Sequence, residues 1–173
     1  MKFPTAILLA LATAALADEP PSASLQFPDL ASMPDRTEEF RQRISANEGT
    51  LLLPPGVHRI TGTLEFKLDG RHSALVRPEG GPATLVMDGP GPAIRIVGSH
   101  EGSAAPKTFK ATTWNERMPI LEGFEIVGNH PEADGIQLQR TFEASISEVA
   151  VRWCRHGIHL FERNRNVAIS DVH

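Results

Sequence analysis

"DGIQLQRTFEASISEV" occupies residues 134–149, and "HGIHLFERNRNVAISDV" occupies residues 156–172. Both lines run Gly-Ile-x-Leu, a polar middle, then Ile-Ser-acid-Val. Gly135 and Gly157 are 22 residues apart, Ile146 and Ile169 are 23 apart, and Leu121 precedes Ile146 by 25. Self-similarity at such a period marks a repeat architecture, in which one unit buries its apolar face only by stacking on the next.

Each period carries a Gly-Ile-x-Leu strand and an Ile-Ser-acid-Val-x-Val strand, bounded by turn residues. The same short Ile/Val/Leu-rich pieces recur upstream, in "TLLLPPGVHRITGTLEF" from Thr50 and in "ALVRPEGGPATLVMDGPGPAIRIVG" from Ala74. This predicts an all-β chain folded as a parallel β-helix, a solenoid of ~22-residue coils in which neighbouring coils pair at about 4.8 Å. A leucine-rich repeat has a similar period but uses one strand per unit and a helical return, for which little length remains. An antiparallel sandwich would not repeat at 22. Strand alternation then stacks Ile94, Ile136 and Ile158, with Ile96, Leu138 and Leu160 beside them, in a dry interior. Phe124, Ile126, Val149 and Val151 line a second wall.

Before the strands, "DRTEEFRQRISANEG" reads as the one helix, over 35–47. Asp35 and Glu38 have capping-box spacing, Phe40 and Ile44 share a face, and Gly49 ends it. Residues 18–34, rich in Pro and Ser, read as an irregular arm. Residues 1–17 have a basic Lys2, an apolar stretch from Ala6 to Leu16 and the small-x-small site Ala15-Leu16-Ala17, the pattern of a secretory signal peptide cleaved after Ala17. The expected location is therefore extracellular or periplasmic. A membrane span needs about 20 apolar residues, more than any stretch supplies. The net charge of −4 carries no basic footprint for nucleic acid. Cys154 is the only cysteine and reads as a small buried apolar residue, with no intrachain disulfide to form.

Residues between the apolar positions face outward. Arg95, Gln137 and His159 form one exposed ladder, and Glu125, Ala150 and His173 another. Three hydrogen-bonding side chains in line suit an extended polar chain such as a polysaccharide, although any solvated sheet face must be polar. The segment "SHEGSAAPKTFKATTWNERM" (99–118) is too long for a coil turn. Its Trp114, with Lys107, Lys110 and Arg117, suits a sugar-binding lip or folds back over the coils with Phe109. Arg152 and Arg155 flank Trp153-Cys154 at a coil corner, where guanidinium groups suit uronate carboxylates. Asp134 reads as a turn cap. His156 and His159 are three apart, which on a strand sends them to opposite faces, so no zinc pair is read. No two carboxyls flank a common outward point, so catalytic residues stay unassigned, and no metal or cofactor site is identified.

"GTLLLPPGVHRITGTLEF", "ATLVMDG", and the recurring "DGIQL", "ISEV", "HGIHL" and "ISDV" resemble the opening of right-handed parallel β-helix proteins of the pectate-lyase-like superfamily, over Thr37 to His173. The resemblance implies that the helix at 35–47 plugs the bottom of the solenoid. It also implies an acidic polysaccharide as partner, lyase- or hydrolase-like activity, and Ca²⁺ in some members. The hydrolase Asn-Thr-Asp, Asp-Asp and Gly-His-Gly marks, the epimerase Asp-Pro-His-Glu mark and the lyase aspartate cluster are missing, so no catalytic residue carries across. The chain ends inside the strand "VAISDVH", which predicts a fragment whose catalytic coils lie beyond His173. Enzyme, carbohydrate-binding or adhesion module, and structural spacer all remain open on the residues alone.

Overall fold

The computed structural model describes residues 29–103 and 105–173. The expected signal peptide and most of the expected arm, to residue 28, lie outside the described residues. A short 3-10 turn at Leu30–Ser32, capped by the Asp29 carboxylate, precedes helix α1 (Thr37–Ala46). Thirteen strands follow: β1 (Thr50–Leu53), β2 (Gly56–Ile60), β3 (Leu64–Lys67), β4 (Leu75–Pro78), β5 (Ala83–Met87), β6 (Gly91–Val97), β7 (Ile120–Glu122), β8 (Glu125–Gly128), β9 (Ala133–Gln139), β10 (Ser145–Ser147), β11 (Ala150–Arg152), β12 (Ile158–Phe161) and β13 (Ala168–Ser170).

Every third strand belongs to the same sheet. The first sheet has the order β1-β4-β7-β10-β13, the second β2-β5-β8-β11, and the third β3-β6-β9-β12. All the strand pairs are parallel. Three parallel sheets visited in turn make a solenoid-like stack, the arrangement of a parallel β-helix, and leave each backbone group a partner in the laps above and below.

The predicted columns are present in register, but they are dry only as far as β9: in β12 Ile158 is partly buried and Leu160 is 46% exposed. Ile94 pairs with Ile136 and Ile136 with Ile158, while Ile96, Leu138 and Leu160 are matched beside them. Leu85, Ile126 and Val151 stack in the second sheet. Leu64, Ile94, Ile96, Leu121, Ile126, Leu138 and Ile146 are fully buried. Each such side chain contributes roughly 1.5–3 kcal/mol. His58 occupies the same column as Leu85. It is tolerated inside because both ring nitrogens are used: Nδ1 meets Arg36 Nη1 at 2.6 Å and Nε2 meets the Pro54 carbonyl at 2.7 Å.

The offset between paired residues is not constant. It is 25 from Thr50 to Leu75, 45 from Leu75 to Ile120, and 23 from Ser145 to Ala168. Segment 99–118 accounts for the long interval. It is not structureless: it contains a 3-10 turn at Pro106–Thr108 and a second helix, α2 (Ala111–Asn115), where the sequence suggests one helix only. Buried Glu116 anchors it by accepting the backbone N–H groups of Gly70 and Ser99.

At the other end of the repeat, the acid of Ile-Ser-acid-Val has a backbone role. Glu148 and Asp171 have φ of 54° and 51°, and the preceding lap places Gly123 at φ 74° there. This left-handed residue turns the chain from the first sheet to the second, a conformation that Gly and Asp adopt at low cost. Helix α1 packs on β1 and β3 through Phe40 and Ile44. Asp35 caps it by accepting the Thr37 N–H, whereas Glu38 turns to Arg41 rather than back along the chain, so the capping box is not closed.

Candidate polysaccharide-binding face

The outer face of the third sheet carries a continuous polar row. Glu65, Arg95, Gln137 and His159 lie on successive paired strands. Arg95 Nε donates to Gln137 Oε1 at 2.6 Å, its Nη1 lies 3.5 Å from Glu65 Oε2, and Gln137 Nε2 lies 3.3 Å from His159 Nδ1. The predicted ladder of Arg95, Gln137 and His159 is therefore one connected chain of hydrogen bonds. A row held this way presents its remaining donors at fixed spacing.

Where this row approaches α1, it opens into a groove of about 830 Å³ lined by Arg41, Lys67, Arg71, His72 and Arg95. Glu48 and Glu65 are its only acidic lining residues. Among the described residues, Arg71 and His72 have no carboxylate partner. The groove is thus a cationic start to a polar track.

The other end of the track holds a cluster at the turn before β12. Arg155 grips Asp134 with two bonds, Nε to Oδ1 at 3.1 Å and Nη2 to Oδ2 at 2.8 Å. His156 Nδ1 lies 2.9 Å from Asp134 Oδ1, which also accepts the His156 backbone N–H at 3.2 Å. The bond from Arg155 and those from His156 outweigh the effect of burial and hold the Asp134 carboxyl at about 2. The His156 and His159 rings are 5.8 Å apart between centres, on the same side of the sheet. Strand alternation predicts opposite faces for them. It fails because His156 precedes β12 and belongs to the turn. The missed signal lies in the repeat itself: Asp134 and His156 open the two matching lines, one lap apart.

The remaining candidates go elsewhere. Arg152 is on the second sheet, where it donates to Glu125 Oε1 at 2.8 Å, and Thr84 donates to the same carboxylate. It shares no cluster with Arg155. Trp114 lies in the 99–118 segment, its ring 5.4 Å from those of both Phe109 and Phe142. Arg165 covers Phe109 at 4.7 Å, and His100 stacks on Phe109 from 4.9 Å. The segment therefore folds back through its aromatics, with Trp114 still 44% exposed and Arg117 6.0 Å from its ring. Lys110 is turned to Glu101. Cys154 is half-buried, and burial pushes its thiol up to about 11, which leaves it inert.

Among the described residues, no three His, Cys, Asp or Glu side chains converge to hold a metal ion, and no helix is long and apolar enough to cross a membrane. Glu65 and Asp134 along the track are engaged by Arg, Lys or His. Compared with known protein families, curated proteins and solved structures, the chain matches none.

Proposed function

We propose that this chain is an exported, carbohydrate-active protein of the right-handed parallel β-helix type, similar to the pectate-lyase-like superfamily, and that it engages acidic polysaccharide along the outer face of the third sheet. The observation that carries this reading is the continuity of the track: a cation-lined groove, then Arg95, Gln137 and His159 in one hydrogen-bonded row, then Arg155 and His156. An extended polyuronate offers a carboxylate on every residue to the cations and hydroxyls to the row between them. The right-handed sense is supported by the near-universal right-handedness of parallel crossovers. Export is supported by the basic, apolar and small-x-small pattern of residues 1–17.

The test is titration of the full chain with polygalacturonate, alginate and the neutral polymer dextran. Binding to an acidic polymer that weakens with salt, against none to dextran, is the expected result. Arg71→Ala and Arg95→Ala should each weaken it about 10-fold or more, the scale of one charge-assisted hydrogen bond. Equal affinity for dextran and polyuronates, or no effect of either variant, rejects the reading. Binding with no turnover would instead identify a non-catalytic adhesion module.

A further inference from the structure

Helix α1 cannot hold itself: a helix of ten residues is marginal in water, and this one buries only Thr37, Phe40 and Ile44. Its place on the first lap depends on what keeps those side chains docked. Arg36, at the entry to the helix, is the centre of that contact. Its Nε and Nη2 donate to the Glu39 carboxylate at 2.7 and 2.6 Å, and its guanidinium lies 4.6 Å from the Phe40 ring centre. Its Nη1 meets Nδ1 of His58, on β2, at 2.6 Å, and the His58 ring meets Phe40 edge-on at 5.5 Å. A guanidinium only donates, so His58 Nδ1 accepts. Nε2 faces the Pro54 carbonyl at 2.7 Å, so Nε2 carries the proton. The site admits one form of the ring, the neutral Nε2–H tautomer.

A second proton has only Nδ1 to go to, where it would set two donors and two positive charges face to face. Arg36, Glu39 and Arg43 are the charges that face the ring from α1. The two arginines oppose an imidazolium, and Glu39, which favours it, is already paired with both of them. Arg59, next along β2, is turned to Asp88, and β5 presents Leu85 in the same column. Burial acts in the same sense as the arginines, and the ring titrates below its ordinary 6.5. We propose that His58 is an acid-sensitive latch: protonation of its ring releases α1 from the first lap while the stacked laps stay folded. Grooves flank the C-terminal half of α1, with Ile44 and Ser45 on one side and Arg43 and Ala46 on the other, so little packing opposes the motion. The Asp35 carboxylate, bonded to Thr37 and Thr61 and held at about 2, stays ionised in weak acid and keeps the start of the helix tethered. Release carries away Arg41, Ile44 and Ser45, one wall of the cation-lined groove, so the shape of that groove follows pH. The latch stands independently of the polysaccharide reading.

Amide hydrogen exchange on the full chain, read by NMR with the His58 ring titrated alongside, tests this. A released helix frees a ring that titrates at its ordinary 6.5. Each pH unit below that should therefore raise the open population about 10-fold, up to roughly 25-fold from pH 7 to pH 5. Protection of the α1 amides, corrected for intrinsic exchange, should fall by that factor. At every pH those amides should also exchange at least about 10-fold faster than the amides of β5 and β8, as a helix that opens alone must. His58→Leu, which continues the Leu85 column, and His58→Gln cannot titrate, and in both the pH dependence of α1 should vanish whatever its level of protection. Arg36→Ala removes the opposing donor and frees Glu39, so the ring's titration midpoint should rise and the pH dependence of α1 should shrink. Constant α1 protection from pH 7 to 5, or equal protection of α1 and β5, overturns the latch. So does a pH dependence that survives both His58 variants, which would assign it to another group such as His72 or His100.

Discussion

Gly135 and Gly157 are the same letter of the repeat, yet alanine should be tolerated at only one of them. A Cβ built on Gly135 lies 2.3 Å from the Gly157 carbonyl oxygen and 2.7 Å from Val151 Cγ1, whereas real Cβ contacts essentially never fall below 3.0 Å. The two laps must separate by at least 0.7 Å at that point. They are joined there by Gly135 N–H to the His156 carbonyl at 2.8 Å and Ile136 N–H to the Gly157 carbonyl at 2.9 Å. Overpacking of this kind costs about 1–3 kcal/mol, and stranding one buried amide about 1–3 kcal/mol more, so Gly135→Ala should destabilise by roughly 2–5 kcal/mol. For a domain of this size that is a fall in Tm of roughly 4–20 °C. At Gly157 the nearest atoms to a new Cβ are those of Val151 at 4.0 Å, an ordinary contact. Gly157→Ala should therefore stay within about 0.5 kcal/mol of the parent. Calorimetry on the two variants decides the matter. Equal melting temperatures would refute the stacking geometry, since nothing but the lap above distinguishes the two positions.

Leu138→Ala should cost about 2–5 kcal/mol by opening a cavity between Ile96 and Leu160, whereas Leu160→Ala, at a side chain 46% exposed, should cost clearly less; urea titration of both separates them. Glu116→Ala orphans the N–H groups of Gly70 and Ser99, at about 1–3 kcal/mol each, and should make segment 99–118 the first site cut in limited proteolysis. Stability should also fall with acid in two windows. Burial disfavours the charged forms of His58 and His100 and lowers their pKa values, so the unfolded rings protonate first and stability begins to drop as pH falls below 6.5. Asp35, where hydrogen bonds from Thr37 and Thr61 outweigh burial, and Asp134, held by Arg155, sit at about 2 against an ordinary 3.8. Their contribution is complete above 3.8 and is lost on going down to about 2. Denaturant midpoints measured across pH should show both windows, and a flat profile from pH 7 to 2 would refute the assignment.

The interior columns were legible in the sequence because two periodicities coincide there. Alternation at 2 sets which side chains point inward, and recurrence at 22 pairs Ile136 with Ile158, while Ile94 joins them by its matching apolar alternation across the inserted segment rather than by spacing. The ladder of Arg95, Gln137 and His159 follows from the same rule by difference. Helix α2 was not legible, since "ATTWN" holds two β-branched threonines and a tryptophan, and it is kept by contacts that propensity does not contain. His58 was hidden for a related reason. Its place inside the second sheet depends on Arg36 and Pro54 satisfying the ring, which no local pattern announces.

The cluster of Asp134, Arg155 and His156 shows where such a fold leaves room for chemistry. Between β9 and β12 the inward positions repeat aliphatic residues, so Ile stands above Ile and Leu above Leu. Where the chain enters the third sheet the constraint is only that the backbone pass close, which Gly135 near the start of β9 meets. The residue before that glycine is free to change from lap to lap, and Pro92, Asp134 and His156 succeed one another there. Stacking then brings unlike residues, distant in sequence, within hydrogen-bond range at no further cost in chain ordering, because the ladder has already fixed both backbones. In a repeat of this type, chemistry is to be sought where aligned laps differ, at positions the glycines and the aliphatic columns hold in register.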